Sequence, residues 1–215
     1  MFFGIDLTSG ETKPSACVCL NDDLDILYSD LLDDDADIFN AVAMYHPQLI
    51  AIDSPLSFPA GMCCLDENCS CRAISPLKGC CCERELARIG IGCFFTTKKS
   101  IIREMAVRGI NLKRKLMNDG YEVIEVYPYA SKVRIFGKLK PKRSPEGILQ
   151  LRQELGDLLH SDIPVVRRWS HDLCDAAMAA HTGYLYIKRN TEALGDAGEG
   201  LIHIPNSSCG RREAG

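Results

Sequence analysis

Leu49-Ile50-Ala51-Ile52-Asp53-Ser54-Pro55 is a short apolar run that stops at a carboxylate followed by Ser-Pro. Two β-branched isoleucines and an unbroken apolar pattern predict a strand buried on both faces, as in a parallel sheet. An acid therefore stands at the carboxyl end of a core strand. In open α/β sheets ligands bind at that edge, which makes Asp53 the first candidate for chemistry.

Working outward, Phe2-Phe3-Gly4-Ile5-Asp6-Leu7 repeats the pattern in miniature and predicts the first strand. Residues 15 to 20 and 24 to 28 read as two more short strands around the Asn21-Asp22-Asp23 turn, giving an antiparallel three-strand meander. A helix is expected over about 35 to 45, stopped by Pro47 ahead of the strand that ends at Asp53. Residues 57 to 81 lack either periodicity and read as an inserted loop, with helix resuming over Glu83 to Ile89. The segment 98 to 118 has a helical apolar pattern with bases opposite, interrupted near Gly109. Tyr121 to Tyr127 alternates and is rich in β-formers, a strand ended by Pro128 that carries Glu125 near its carboxyl end. Ser144-Pro145 caps a further helix, and Ser170 starts another whose Ala176, Ala177 and Ala180 can lie close on a sheet. Gly200 to Ile204 is expected as a last edge strand.

The totals suit one α/β domain over residues 1–205, with a Cys-rich insertion at about 57–82 and a flexible tail over 206–215. With 215 residues, 46% hydrophobic and 25% charged, the composition is that of an ordinary globular protein. No window reaches the roughly 18 apolar residues of a membrane span, and the N-terminus meets Asp6 too early for a signal peptide, so a cytoplasmic location is expected. Net charge is −4 but unevenly placed. Residues 1 to 53 hold eleven acids against Lys13, while 98 to 143 hold thirteen Lys and Arg against four acids. Such runs are either solvated surface or a face that meets a polyanion.

Asp6, Asp53, Glu125 and Asp175 each close or flank an apolar element of one plausible sheet. Carboxylates gathered without bases repel, unless a hard cation such as Mg²⁺ or Mn²⁺ neutralises them. The use of such a group is two-metal hydrolysis of a phosphodiester. A strand-end Asp is also a common turn or helix cap. Asp172 reads better as a first-turn acid than as a ligand, which favours Asp175, and His171 is either a general base or a cap neighbour.

The stretches GIDL at 4–7, LIAIDSPLSFP at 49–59, CERELARIGIGCFFTT at 82–97, EVYP at 125–128 and DLCDAAMAAHTG at 172–183 resemble the ordered motifs of an uncharacterised family of predicted nucleases with an RNase H-like fold. The resemblance implies a mixed five-stranded sheet, its first three strands antiparallel, flanked by helices, with Asp6, Asp53, Glu125 and Asp175 at a catalytic Mg²⁺ or Mn²⁺ site. It further implies that Arg84, Arg88, Thr96 and Thr97 hold a phosphate-bearing substrate, consistent with guanidinium chemistry. For Arg84 and Arg88 the plain alternative is a salt-bridged pair on an exposed helix.

Seven of twelve cysteines fall between Cys63 and Cys82, a density the family's common pattern lacks. Outside an oxidising compartment such a cluster more often binds metal than forms disulfides. The spacing predicts Cys64, Cys69, Cys71 and Cys80 as ligands of zinc or an iron–sulfur cluster, with reduced thiols as the alternative. Cys17, Cys19 and Cys174 lie in apolar surroundings and read as core. The leading expectation is a metal-dependent nuclease acting on nucleic acid. Its rival is a non-catalytic or redox-sensing nucleic-acid binder on the same fold. An actin-like kinase, suggested by Gly4-Ile5-Asp6-Leu7-Thr8-Ser9-Gly10, would need a second domain and a second glycine-rich phosphate segment that the chain lacks.

Overall fold

The computed structural model describes residues 1–10, 13–141, 144–159 and 166–209. Glu11, Lys142 and Arg143 of the two charge runs, and residues 210–215 of the expected tail, lie outside the described residues. In chain order the elements are β1 (Phe2–Asp6), β2 (Ser15–Leu20), β3 (Ile26–Leu32), α1 (Asp35–Tyr45), β4 (Leu49–Asp53), α2 (Cys81–Arg88), α3 (Arg103–Asn118), β5 (Val123–Val126), α4 (Pro128–Phe136), α5 (Pro145–Leu158), α6 (His171–Ile187), β6 (Thr191–Asp196) and β7 (Gly200–Pro205). Among the described residues no helix is long and apolar enough to cross a membrane.

The strands form one mixed sheet in the order β3-β2-β1-β4-β5-β7-β6. β1, β2 and β3 are antiparallel neighbours, and β4 and β5 extend β1 in parallel. The expected mixed core with its antiparallel meander is present, but the sheet has seven strands, not five. β7 adds parallel to β5, and β6 pairs antiparallel outside it. The strand expected at the edge is therefore interior. β6 escaped the sequence reading because Thr191-Glu192-Ala193-Leu194-Gly195-Asp196 is a half-exposed edge strand with no apolar run. Helix α4 was hidden for a different reason. Pro128, read as a stop, occupies the first helical turn, where its missing N–H takes no bond from the helix.

Alternation sorts the sheet into two covered faces. Phe3, Ile5, Ile50, Ile52 and Val123 face α1 and α3, meeting Ile38, Val42, Leu112 and Leu116. Phe2, Leu49, Ala51, Ile124 and Val126 share the other face with Ala179 of α6, and Ala16, Val18 and Leu20 of β2 join Ala176, Ala177 and Ala180 there. Each isoleucine of β4 is fully buried, which contributes roughly 1.5–3 kcal/mol apiece. The closest approach is at Gly4. A Cβ there would lie 2.0 Å from the Ala176 carbonyl oxygen and 2.3 Å from the Ala180 nitrogen, so β1 and α6 meet backbone to backbone.

The expected break at Gly109 does not occur, since α3 is continuous through it. Its lack of a side chain instead admits the Ser54-Pro55 turn: a Cβ would stand 2.4 Å from Ser54 Oγ and 3.0 Å from the Pro55 carbonyl. Ser54 Oγ donates to the Met105 carbonyl at 3.2 Å, which fastens the end of β4 to the helix.

Candidate active site at the carboxyl edge of the sheet

Asp6 and Asp53 end neighbouring parallel strands as register partners. Partners in a parallel pair project to the same face, and counting back in twos through Gly4 and Phe2, or Ala51 and Leu49, that face is the one under α6. Phe2 meets Tyr184 edge-on at 5.4 Å, so α6 runs antiparallel to β1. A strand rises about 3.3 Å per residue and a helix about 1.5 Å. Two residues beyond Gly4 on β1 therefore correspond to roughly four back along α6, which brings Asp6 level with Asp172 and Asp175.

Asp175 is buried, and it arrives with a cation. Lys132 Nζ, from α4, donates to Asp175 Oδ1 at 2.6 Å. His171 Nδ1, one turn earlier on α6, stands 3.0 Å from Asp175 Oδ2 without the angle of a hydrogen bond. Asp172 is a first-turn acid of α6, as expected, and pairs with Lys13 at 2.8 Å. That hydrogen-bonded pair and the field of Asp6 raise the Lys13 ammonium pKa. Ser170 caps the helix by accepting from the Leu173 N–H. His181 is remote from this edge; burial pushes its imidazole down to about 4, so it is neutral.

Glu125 is on the opposite face. Its register partner is Ile52, which faces α3, so Glu125 points away from the side shared by Asp6, Asp53 and Asp175. It accepts the Leu56 N–H at 2.7 Å, and burial pushes its carboxyl up to about 8, aided by the charge of Glu83 and opposed by the Leu56 bond and Lys113. The four expected acids are thus split, three to one. Asp53 is the link between the groups, because it also lines a cleft of about 80 Å³ with Glu83, Glu125 and Tyr127. Among the described residues no carboxylate trio brings its oxygens within 4.8 Å.

The expected phosphate contacts are mostly engaged elsewhere. Thr96 is fully buried and gives both its N–H and its hydroxyl to Glu83, the hydroxyl at 2.5 Å. Glu83 also accepts the Cys80 N–H at 2.8 Å, closing the start of α2; burial raises its pKa, and these bonds resist the shift. Arg84 donates to the Gly79 carbonyl at 2.5 Å and faces Glu199 at 3.9 Å. Arg88 is exposed at the end of α2, and Thr97 lines a shallow groove with Lys78 and Lys98.

Of the expected thiol ligands, Cys64, Cys69 and Cys71 come together, but the fourth member of the group is Cys63. Cys80 is buried at the start of α2, its thiol directed to the Ser57 carbonyl. Its place in the helix start removes it from the loop that gathers the others. Cys17, Cys19 and Cys174 are buried core residues, and burial pushes the Cys19 thiol up to about 11 and that of Cys174 up to about 12.

Lys132, Glu83, Glu199 and Arg108 were not singled out from sequence. Lys132 was concealed with α4, although a lysine amid Ala130, Ser131, Val133 and Ile135 is a signal of a buried cation. Glu199 accepts the N–H groups of Ala60 and Cys81, tying the β6–β7 hairpin to the insertion. Arg108, in the basic segment, bonds Asp35 at 2.8 Å, the Thr8 carbonyl at 3.0 Å and Ser15 Oγ at 3.1 Å, and so pins the turn after Asp6. With Arg103, Arg114 and Lys115 of α3 it also borders an open groove of about 720 Å³.

No protein-family model matches the chain, and no curated protein matches it. Among solved structures it is similar to the Thermus thermophilus RuvC structure, with 11% sequence identity and a TM-score of 0.44, the match covering 87% of this chain and 95% of that chain. Identity and TM-score at that level transfer neither activity nor substrate.

Proposed function

We propose that the chain is a divalent-cation-dependent phosphodiesterase acting on nucleic acid, with Asp6 and Asp53 as the cation ligands. The observation that carries this reading is their register: two acids end adjacent parallel strands on the same face, at the sheet edge where α/β proteins place ligands. Two carboxylates suit Mg²⁺ or Mn²⁺, because the smaller ion commonly keeps several waters and takes one or two protein carboxylates plus substrate phosphate. Glu125 is left out of the ligand set because it faces the other side of the sheet and accepts the Leu56 N–H. Asp175 serves as the positioning partner of Lys132 and His171. The cation, when bound, polarises the phosphoryl oxygen and lowers the pKa of water. Lys132 donates to Asp175 and holds its carboxylate in place. With Nδ1 turned to Asp175, His171 Nε2 is the nitrogen that takes a proton from the attacking water. Bases of α3 attract the phosphate backbone in a salt-dependent way.

The test is a cleavage screen over single-stranded, double-stranded and branched DNA and RNA, with Mg²⁺ or Mn²⁺ and with EDTA. Cleavage that needs the cation and disappears in Asp6→Asn and Asp53→Asn, both still folded by circular dichroism, is expected; unchanged cleavage in both variants rejects the assignment. One observation favours the second reading, a nucleic-acid binder without catalysis: the third acid of the edge is already neutralised by Lys132. That reading requires salt-sensitive binding that survives Asp6→Asn, with no cleavage by the wild type.

A further inference from the structure

We propose that Cys63, Cys64, Cys69 and Cys71 bind one zinc ion in a closed structural site that staples the insertion to the start of α3. The proposal does not depend on the carboxylate reading. The four Sγ atoms all lie within 4.8 Å of one another, with Cys63 to Cys69 at 3.8 Å and Cys64 to Cys71 at 4.0 Å. A tetrahedral zinc with Zn–S bonds of about 2.3 Å requires edges of roughly 3.8 Å between its sulfurs. A disulfide would bring a pair to about 2.05 Å, far shorter than either. An iron–sulfur cluster spreads its thiolates over several irons and needs them farther apart.

The loop is built to converge on this point. Asp66 turns the chain, its carboxylate accepting the Asn68 N–H at 2.9 Å and its carbonyl the Cys69 N–H at 3.2 Å, so the second pair of thiols is carried back onto the first. At the base of the loop the Ile74 N–H donates to the Ala60 carbonyl at 2.7 Å. Gly61 lies there in the left-handed region at φ 87°, and a Cβ on it would stand 2.8 Å from the Arg72 carbonyl, so the two ends cross closely. Between Cys63 and Cys71 only Leu65 is buried, at 1% exposed. Leu56 and Pro59 anchor only the start of the segment; the thiol loop over residues 63–71 has Leu65 alone and no regular structure, so a metal staple is what would hold it in one conformation.

Docking follows from the ligand positions. Lys98 Nζ donates to the Cys69 carbonyl, and Arg103 of α3 approaches Glu67 at 3.5 Å. A zinc tetrathiolate carries two net negative charges, and Lys98 is the cation beside it. Four protein thiolates leave no position for water or substrate, so the site is structural and not catalytic. Zinc enters as the dication, and the four thiol protons leave to solvent.

The experiment is metal analysis of protein purified under reducing conditions, with Cys63→Ser, Cys71→Ser, Cys80→Ser and Asp6→Asn in parallel. About one zinc per chain is expected in the wild type, Cys80→Ser and Asp6→Asn, and its loss in the other two. Exchange of the wild type into cobalt should give the intense visible bands of a tetrahedral thiolate site, which decides the matter if the serine variants are insoluble. Chelation should open the loop to trypsin at Arg72 and Lys78 while the far-ultraviolet circular dichroism of the core persists. Iron in place of zinc, retention of zinc in Cys63→Ser, loss of it in Cys80→Ser, or a metal-free wild type with reactive thiols or disulfides by mass would each overturn the proposal.

Discussion

Lys132 Nζ and Asp175 Oδ1 are 2.6 Å apart, and each side chain is only 7% exposed. A lysine from α4 thus neutralises a carboxylate of α6 at the edge where Asp6 and Asp53 also end. Removing one partner of such a pair leaves a buried charge uncompensated, which costs about 3–5 kcal/mol, whereas replacing both by apolar groups is often neutral. Lys132→Met should therefore lower the urea midpoint strongly, and Lys132→Met/Asp175→Leu should recover most of the loss. A double-mutant cycle in urea measures this; additive losses would show that the pair is not coupled.

Glu125 predicts a pH dependence of stability. Its folded pKa, about 8, lies above the unfolded carboxylate value, so the native state binds more protons between the two. Stability is then greatest below about pH 4.5 as far as this group is concerned, falls as pH rises towards 8, and is flat beyond. Glu125→Gln keeps an oxygen for the Leu56 N–H and removes the ionisation. It should flatten the profile and exceed the wild type in stability at pH 8 to 9. Urea midpoints against pH provide the check, and parallel profiles would refute it.

Much of this fold was legible because the local signals were strong. The apolar run ending at Asp53, the meander and the Ser144 and Ser170 caps carry their own physics, and all four elements form. β6 was less legible than β7, since it is polar, half-exposed and held by its pairing with β7. At the site, sequence placed Asp6 and Asp53 at strand ends but could not fix the parity of Glu125. A strand alternates faces at every residue, so one step of register decides which side an acid meets. The same holds for the thiols: Cys63 and Cys80 differ in role through the path of an irregular loop, where no periodicity helps.

Gly4 governs how closely α6 approaches Asp6. Because the Cβ of Gly4→Ala would sit 2.0 Å from the Ala176 carbonyl, the clash is with backbone and no rotamer relieves it. Overpacking of this kind typically costs 1–3 kcal/mol or more, as strand and helix separate. The variant should unfold at lower temperature and, where folded, should lose the proposed cleavage by parting Asp6 from the start of α6. Thermal melts alongside the cleavage assay test both effects, and wild-type behaviour in each would contradict the backbone contact.

Gly109 sets two effects against each other. Alanine is favoured over glycine within a helix by about 1 kcal/mol, so Gly109→Ala in an exposed helix would stabilise. Here the added Cβ would meet Ser54 Oγ at 2.4 Å, Ser54 Cβ at 3.0 Å and the Pro55 carbonyl at 3.0 Å. A hydroxyl can rotate away, but the backbone carbonyl and Cβ cannot, so the steric term should win. Gly109→Ala is expected to destabilise by roughly 1–2 kcal/mol. Ser54→Ala added to it should restore only the part due to the hydroxyl, less the cost of the Met105 hydrogen bond. Since Ser54 follows Asp53 directly, the single variant should also weaken the cation affinity proposed for the carboxylate edge. Denaturation of both variants, with Mn²⁺ titration of the folded protein, separates packing from position: a stabilised Gly109→Ala would mean that the Ser54-Pro55 turn yields freely and does not hold Asp53 in place.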